Sequence, residues 1–140
     1  IEKLVKENLI IKEIIGKTWL LSPNLKNPNF KNQKIAYKLR NIYESQIIQE
    51  ITKIYPQAKA IILFGSYRWG DDHEKSDIDI AIEILGNKME IINLGIIEQM
   101  GYRKNIPLNI HIFSRNKIDI NLFSNIANGI VLDGFLEVKQ

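Results

Sequence analysis

The 140-residue chain has no cysteine, which excludes disulfide bonds and metal sites built from thiolates. No apolar run approaches the roughly 20 residues that a membrane-spanning helix needs, and no signal-peptide pattern is present. From these absences we expect a cytoplasmic protein with no membrane partner. Ile1 stands where a start methionine would, so we also expect the native chain to begin upstream.

The residues that are present suffice for a globular domain with a buried core. Hydrophobic residues make up 45% of the chain and charged residues 25%, as in ordinary globular proteins. The net charge of +3 is unevenly distributed: residues 1–60 hold 11 Lys and Arg against 5 acids, whereas residues 61–140 hold 8 against 11. This asymmetry indicates two tasks. The basic front either serves a partner or is a solvated surface.

The front of the chain predicts a helix followed by a hairpin. Apolar spacing over residues 1–9 predicts the end of an amphipathic helix. The β-prone runs 10–15 and 18–21 flank Gly16-Lys17, a pair that favours a tight two-residue turn. A loop rich in Pro and Asn is expected next, over residues 22–32. Two amphipathic helices should follow it, the second ended by Pro56.

The back of the chain predicts a small sheet with helices. Apolar or alternating runs predict strands over residues 60–64, 77–84 and 107–113. Apolar spacing predicts helices over residues 88–100 and 118–127. The expected fold class is α+β: a small mixed sheet flanked by helices, with the N-terminal helix and hairpin as a wing-like appendage.

Residues 64–83, FGSYRWGDDHEKSDIDIAIE, contain a pair of carboxylates suited to a metal ion. Residues two apart in a strand point to the same face, so Asp77 and Asp79 project together. Adjacent carboxylates repel each other unless a cation lies between them. Magnesium prefers such oxygen ligands and leaves room for substrate phosphates. The pair therefore predicts a cradle for a metal ion and a nucleotide.

Gly65 and Ser66 lie where an apolar strand ends and a turn begins. Glycine lets the backbone approach a phosphate closely, and the Ser hydroxyl and exposed N–H groups can bind phosphate oxygens. Each feature alone is ordinary, because Gly-Ser after a strand is usually a turn and Asp-x-Asp is often an exposed face or a calcium ligand. Their combination, with ten residues between Ser66 and Asp77, is far more specific.

This combination resembles the minimal nucleotidyltransferases of the DNA polymerase β superfamily, whose pattern is Gly-Ser, ten residues, Asp-x-Asp. The resemblance covers roughly residues 47–136. It implies that Asp77 and Asp79 bind two Mg²⁺ ions and that Gly65 and Ser66 hold the β- and γ-phosphates of a nucleoside triphosphate such as ATP. It also implies that a hydroxyl attacks the α-phosphorus and that pyrophosphate leaves.

The chain departs from the family pattern at a third carboxylate, which the next core strand normally supplies. The matching position is Asn109, whose amide oxygen can coordinate a metal but which has no charge and cannot act as a base. We therefore expect Asn109 to take part in a weakened catalytic site. His111, on the same strand face, either compensates or is a satisfied strand residue, and Asp119 is expected to cap a helix. Arg68 either helps to bind the nucleotide or faces solvent.

The front segment resembles the end of a winged helix-turn-helix. Residues 1–9 would end the recognition helix, and the hairpin around Gly16 would be the wing. Lys12 and Lys17 are then expected to contact duplex DNA. The alternative is a structural arm that packs on the catalytic domain or on a second subunit of a homo-oligomer.

Two functions fit a division into a wing-like segment, residues 1–45, and a nucleotidyltransferase domain, residues 46–140. The first is an enzyme that transfers AMP to a protein hydroxyl, and the resemblance suggests an antitoxin that modifies a tyrosine of a HEPN-type toxin. The second is a DNA-binding transcriptional regulator whose nucleotidyltransferase domain senses a nucleotide or a partner without turnover. Small size favours the first function, whereas Asn109 and the basic front favour the second.

Overall fold

A computed structural model of the chain describes residues 2–72, 76–100 and 103–137. The elements of these residues follow in the order α1 (Glu2–Lys6), β1 (Ile10–Ile15), β2 (Thr18–Pro23), α2 (Pro28–Glu44), α3 (Ile47–Ile54), β3 (Ala60–Phe64), α4 (Ser66–Trp69), β4 (Ile78–Glu83), β5 (Met89–Met100), β6 (Arg103–Phe113), α5 (Ile120–Ala127) and β7 (Ile130–Gly134).

The strands form two sheets. β1 and β2 form a separate antiparallel pair, and the main sheet has the order β5-β6-β4-β3-β7. Within the main sheet β4 and β6 run in parallel, whereas the other neighbours are antiparallel. The predicted α+β class with a mixed sheet flanked by helices is therefore confirmed.

Helices cover both faces of the main sheet. On one face Ile42 of α2 and Ile51 of α3 pack against the isoleucines of β4 and β6. On the other face Ile126 of α5 packs against Ala81 and Phe113. All five residues of β3 are buried. Because burying a large apolar side chain stabilises the fold by about 1.5–3 kcal/mol, the centre of this sheet is a rigid support.

The N-terminal hairpin forms as predicted. Ile15 pairs with Thr18 across Gly16-Lys17, and Gly16 has a φ of 62°, a region that favours glycine. The preceding helix α1 ends at Lys6, earlier than the apolar spacing predicts.

α2 begins inside the stretch predicted to be a loop, residues 22–32. Asn27 has an extended backbone, and its side chain accepts the N–H of Asn29 at 3.0 Å. Pro28 occupies the first turn, where its missing N–H has no helical partner to lose. The Asn27 cap and Pro28 together place the start of α2 earlier than the sequence predicts.

The prediction of a helix over residues 88–100 is wrong. These residues form the edge strand β5, which pairs antiparallel along β6. Ile92 and Ile97 pack against the core, and the pairing shifts beside Gly95, whose φ is 116°. The spacing of the apolar residues fits either a helix or a strand, and the hydrogen bonds to β6 make this segment a strand. β6 is accordingly longer than predicted and begins at Arg103.

α5 shows how the C-terminal part joins the sheet. The carboxylate of Asp119 accepts the N–H groups of Asn121 and Leu122 at 3.1 and 3.2 Å, which confirms the expected cap. A side chain at Gly129 would collide with the carbonyl oxygen of Leu63, so glycine is needed where the chain turns onto β3. No helix in the described part of the chain is long and apolar enough to cross a membrane.

Candidate active site

Two carboxylates project from the start of β4. Asp77 directly precedes the strand and Asp79 is its second residue, and both are partly buried. The neighbours Ile78 and Ile80 point to the opposite face and are fully buried in the core. This alternation fixes the side of the sheet on which the two carboxylates lie.

Asn109 on β6 joins the two carboxylates. Its Nδ2 donates to Oδ2 of Asp77 at 2.9 Å and to Oδ1 of Asp79 at 3.4 Å. The parallel register places Asn109 directly beside Asp79, so the expected matching position is also the spatial neighbour. One amide nitrogen thus lies within reach of oxygens from both carboxylates.

His111 also contacts this cluster. Its Nε2 lies 3.1 Å from Oδ1 of Asp79, so the ring donates from Nε2 to the carboxylate. Its Nδ1 is buried without a hydrogen-bond partner among the described residues, and the ring meets Phe64 edge-on at 4.8 Å between centroids. His111 therefore helps to orient the carboxylate of Asp79.

The Gly-Ser turn meets the carboxylates from β3. Gly65 has φ 78° and ψ −162°, a combination open almost only to glycine. A Cβ at this position would lie 3.0 Å from Oδ2 of Asp79. Ser66 follows as the first residue of α4. The turn and the carboxylates, apart in sequence, therefore lie side by side.

Of the other predicted site residues, Arg68 shares α4 with Ser66, whereas the two lysines lie on the N-terminal hairpin. Nε of Arg68 donates to the carbonyl oxygen of Asn128 at 3.2 Å, and its guanidinium stacks on Trp69 at 4.1 Å. Arg68 thus ties α4 to the end of α5. Lys12 and Lys17 lie on the separate hairpin, where Nζ of Lys12 sits 3.6 Å from the ring of Trp19.

A comparison with protein-family models identifies the family of this chain. The model described as Polymerase beta, Nucleotidyltransferase matches residues 46–133, more than half of the chain. The chain belongs to the polymerase β nucleotidyltransferase family. A search among curated proteins found no match. Members of this family generally use nucleoside triphosphates and divalent metals.

The site of this nucleotidyltransferase offers oxygen donors for a metal ion. Within residues 2–72, 76–100 and 103–137, no cluster of three or more His, Cys, Asp and Glu side chains is arranged for a metal. The carboxylates of Asp77 and Asp79 do converge, and the amide nitrogen of Asn109 contacts an oxygen of each, as a bound cation would. Rotating that amide would present its oxygen instead. Two carboxylates and one amide oxygen fit magnesium.

Sequence reasoning missed the anchor of the loop before Asp77. Asp72 is buried, and its carboxylate pairs with Nζ of Lys38 at 2.7 Å and of Lys34 at 3.4 Å. Lys31 pairs with the neighbouring Asp71. Part of the basic front of the nucleotidyltransferase therefore holds Asp71 and Asp72, rather than facing a partner. The recurrence of these lysines on one face of α2 was the only signal in the sequence.

A cavity of about 530 Å³ lies at the other end of β4 in the part of the nucleotidyltransferase that the structure describes. It is lined by the buried Glu83 and by Arg115, whose Nη1 is 4.0 Å from the Glu83 carboxylate. The motif residues do not line it. The candidate active site is therefore defined by converging polar groups and is separate from this cavity.

Proposed function

We propose that the chain binds Mg-ATP and transfers AMP to a hydroxyl group of a protein acceptor. The supporting observation is the convergence of Gly65, Asp79, Asp77 and Asn109 at one end of the sheet. A glycine turn beside a pair of carboxylates suits a triphosphate and its metal, because the backbone can approach the phosphates while the carboxylates hold the cation.

Each residue has a distinct role in this proposal. Asp77 and Asp79 hold magnesium, and Gly65 and Ser66 bind the β- and γ-phosphates through the backbone and the hydroxyl. Bound magnesium supplies charge neutralisation for the phosphates. The acceptor oxygen bonds to the α-phosphorus while the bond to pyrophosphate breaks, and the hydroxyl proton passes to the carboxylate pair.

Asn109 favours a second candidate function, a DNA-binding regulator that binds nucleotide without turnover. Its amide cannot take a proton, and its Nδ2 already donates to the carboxylate of Asp77. In this version the hairpin would be the wing of a winged helix, with Lys17 at its tip facing duplex DNA. The division at residue 45 and a cytoplasmic location remain predictions in both versions, as does a homo-oligomer.

The finer version of the enzyme proposal is an antitoxin that modifies a tyrosine of a HEPN-type protein. The test is incubation with magnesium, ATP labelled at its α-phosphate and a candidate HEPN-type protein. Label on the intact partner that disappears when its tyrosine is changed to Phe supports AMP transfer. Nucleotide binding without labelling of any partner, together with salt-dependent binding to duplex DNA, supports the regulator.

The Asn109→Asp variant separates a weakened enzyme from a regulator. A third carboxylate replaces a donor that bonds to two carboxylates, so without magnesium we expect a loss of about 1–3 kcal/mol in the free energy of unfolding. With magnesium we expect stability to recover and turnover to rise by roughly tenfold or more. Denaturant unfolding and labelled AMP transfer measure the two effects. No AMP transfer by either the original chain or the variant would favour the regulator. Equal transfer by both would point to His111, whose replacement by Ala in the original chain would then lower activity.

A further inference from the structure

An exposed apolar strip continues the face that carries the carboxylates. On β5, Ile91 pairs with His111 of the neighbouring strand, so it lies on the same side of the sheet as Asp79. Its side chain is 69% exposed, and Met89 and Ile96 on the same face are also exposed. We call these three β5 residues the apolar strip, and the exposed Asn93 lies on the same face between Ile91 and Ile96. Large exposed apolar patches usually mark interaction sites.

The position of the apolar strip relative to the Gly-Ser turn indicates which reacting group would lie on the side of the strip. Gly65 follows the end of β3, and the strands continue across the sheet in the order β4, β6 and β5. Asp79 on β4 pairs with Asn109 on β6, and Ile91 on β5 lies opposite His111, two residues further along β6. In phosphoryl transfer the attacking and leaving oxygens lie in line on opposite sides of the phosphorus. If pyrophosphate leaves beside Gly65, the attacking hydroxyl arrives from the side of β6 and β5, where the apolar strip lies.

The charge around the apolar strip distinguishes between kinds of acceptor. Among the side chains that the structure describes on this face of β5 and β6, there is no Lys or Arg. His111, which pairs with Ile91, contacts the carboxylate of Asp79 at 3.1 Å. A nucleic acid needs cations along its phosphates and would be repelled here. An apolar protein segment with basic flanks complements both the strip and the carboxylates.

We propose that the apolar strip on β5 docks the acceptor protein, by an apolar segment with basic flanks that carries the acceptor hydroxyl. This inference rests on the proposed AMP transfer, since that reaction sets the side from which the hydroxyl arrives. Ile91 lies centrally in the strip and is a positioning residue, because it contacts the acceptor chain rather than the reacting atoms.

Docking can be tested by binding alone, so that weak turnover does not affect the outcome. The probe is a fluorescein-labelled peptide with one tyrosine flanked by leucines and lysines, titrated with the protein in magnesium and a non-hydrolysable ATP analogue. The variant is Ile91→Lys, which removes the apolar contact and repels the basic flanks. Leu85→Lys is the matched control, because Leu85 is 76% exposed and lies beyond the far end of β4.

We expect Ile91→Lys to weaken peptide binding by roughly tenfold and Leu85→Lys to leave it within about twofold. Equal binding by the original chain and Ile91→Lys would overturn the proposal, as would equal losses in both variants or no peptide binding at all. Tighter binding of a single-stranded oligonucleotide than of the peptide to the original chain would overturn the choice of a protein acceptor. Calorimetry of Mg-ATP on the same samples assesses the proposed function separately, since a failure there leaves the peptide comparison readable.

Discussion

The chain contains two antiparallel strand pairs of similar composition and opposite surroundings. β1–β2 and β3–β4 are both rich in isoleucine and leucine, and in both a glycine with positive φ follows the first strand. All six residues of β2 are exposed, whereas all five of β3 are buried. The β propensity of the residues therefore accounts for the strands, and the helices packed on the main sheet account for the burial.

The two glycines differ in the same way. A Cβ at Gly16 would meet nothing within 4 Å, whereas one at Gly65 would lie against Asp79. Glycine at position 16 is needed only for the backbone of the hairpin turn. Gly65 serves the turn and also leaves the space that brings the backbone next to the carboxylates. The difference separates a glycine needed for folding locally from one needed for the site.

The largest effect should come from shortening one isoleucine in each pair. Ile80 in β4 is 0% exposed, so Ile80→Ala should lower the free energy of unfolding by about 2–5 kcal/mol through reduced burial and a cavity. Ile14 in β1 is 66% exposed, and Ile14→Ala should cost less than about 1 kcal/mol. Urea unfolding measures both. Equal losses would mean that the hairpin is covered in solution and that the contrast in burial is false.

The next effect should separate the two glycines. Gly65→Ala strains a backbone that only glycine adopts readily and presses on Asp79, so we expect about 1–3 kcal/mol of destabilisation and roughly tenfold weaker Mg-ATP binding. Gly16→Ala should cost about 1 kcal/mol and leave nucleotide binding unchanged. Calorimetry and unfolding on both variants provide the comparison. Normal nucleotide binding by Gly65→Ala would remove the turn from the site.

The smallest effect concerns the hairpin lysines. If the hairpin is a DNA-binding wing, replacing Lys12 and Lys17 by Gln should lower the slope of log affinity against log salt by about 0.9 for each phosphate that the variant no longer neutralises. Lys17 should matter more, because Lys12 already lies on the ring of Trp19. Fluorescence anisotropy with duplex DNA measures the slope, and the exposed Lys117→Gln is the control. An unchanged slope would leave the hairpin as a structural arm.

The motif was predictable because its geometry is local. Strand alternation alone places Asp77 and Asp79 on one face, and the spacing after Ser66 identified the family. The resemblance implied that Asn109 occupies the position of the third carboxylate. The register places Asn109 beside Asp79, and its role in catalysis stays a prediction. Asp119 was predictable as a cap for the same reason, since its partners are its own neighbours along the chain.

The features that were missed depend on distant partners. Met89, Ile92 and Ile96 recur at helical spacing, and only pairing with β6 makes their segment a strand. For that reason the apolar strip could not be predicted from the sequence. The contact between Lys38 and Asp72 joins residues far apart in sequence, so charge counting assigned this lysine to the surface. Long-range contacts thus decided both the edge of the sheet and the anchor of the active-site loop.

The central claim is that Asp77 and Asp79 hold the metal and, through it, the nucleotide. Titration calorimetry with Mg-ATP should show binding to the original chain and to Asp133→Ala, which removes an exposed carboxylate of β7. The double variant Asp77→Ala with Asp79→Ala should bind about a hundredfold more weakly, because no carboxylate remains to hold the ion against the triphosphate. Circular dichroism should show that the double variant is folded, since both side chains lie outside the apolar core. Unchanged affinity in the folded double variant would contradict the assignment of the site.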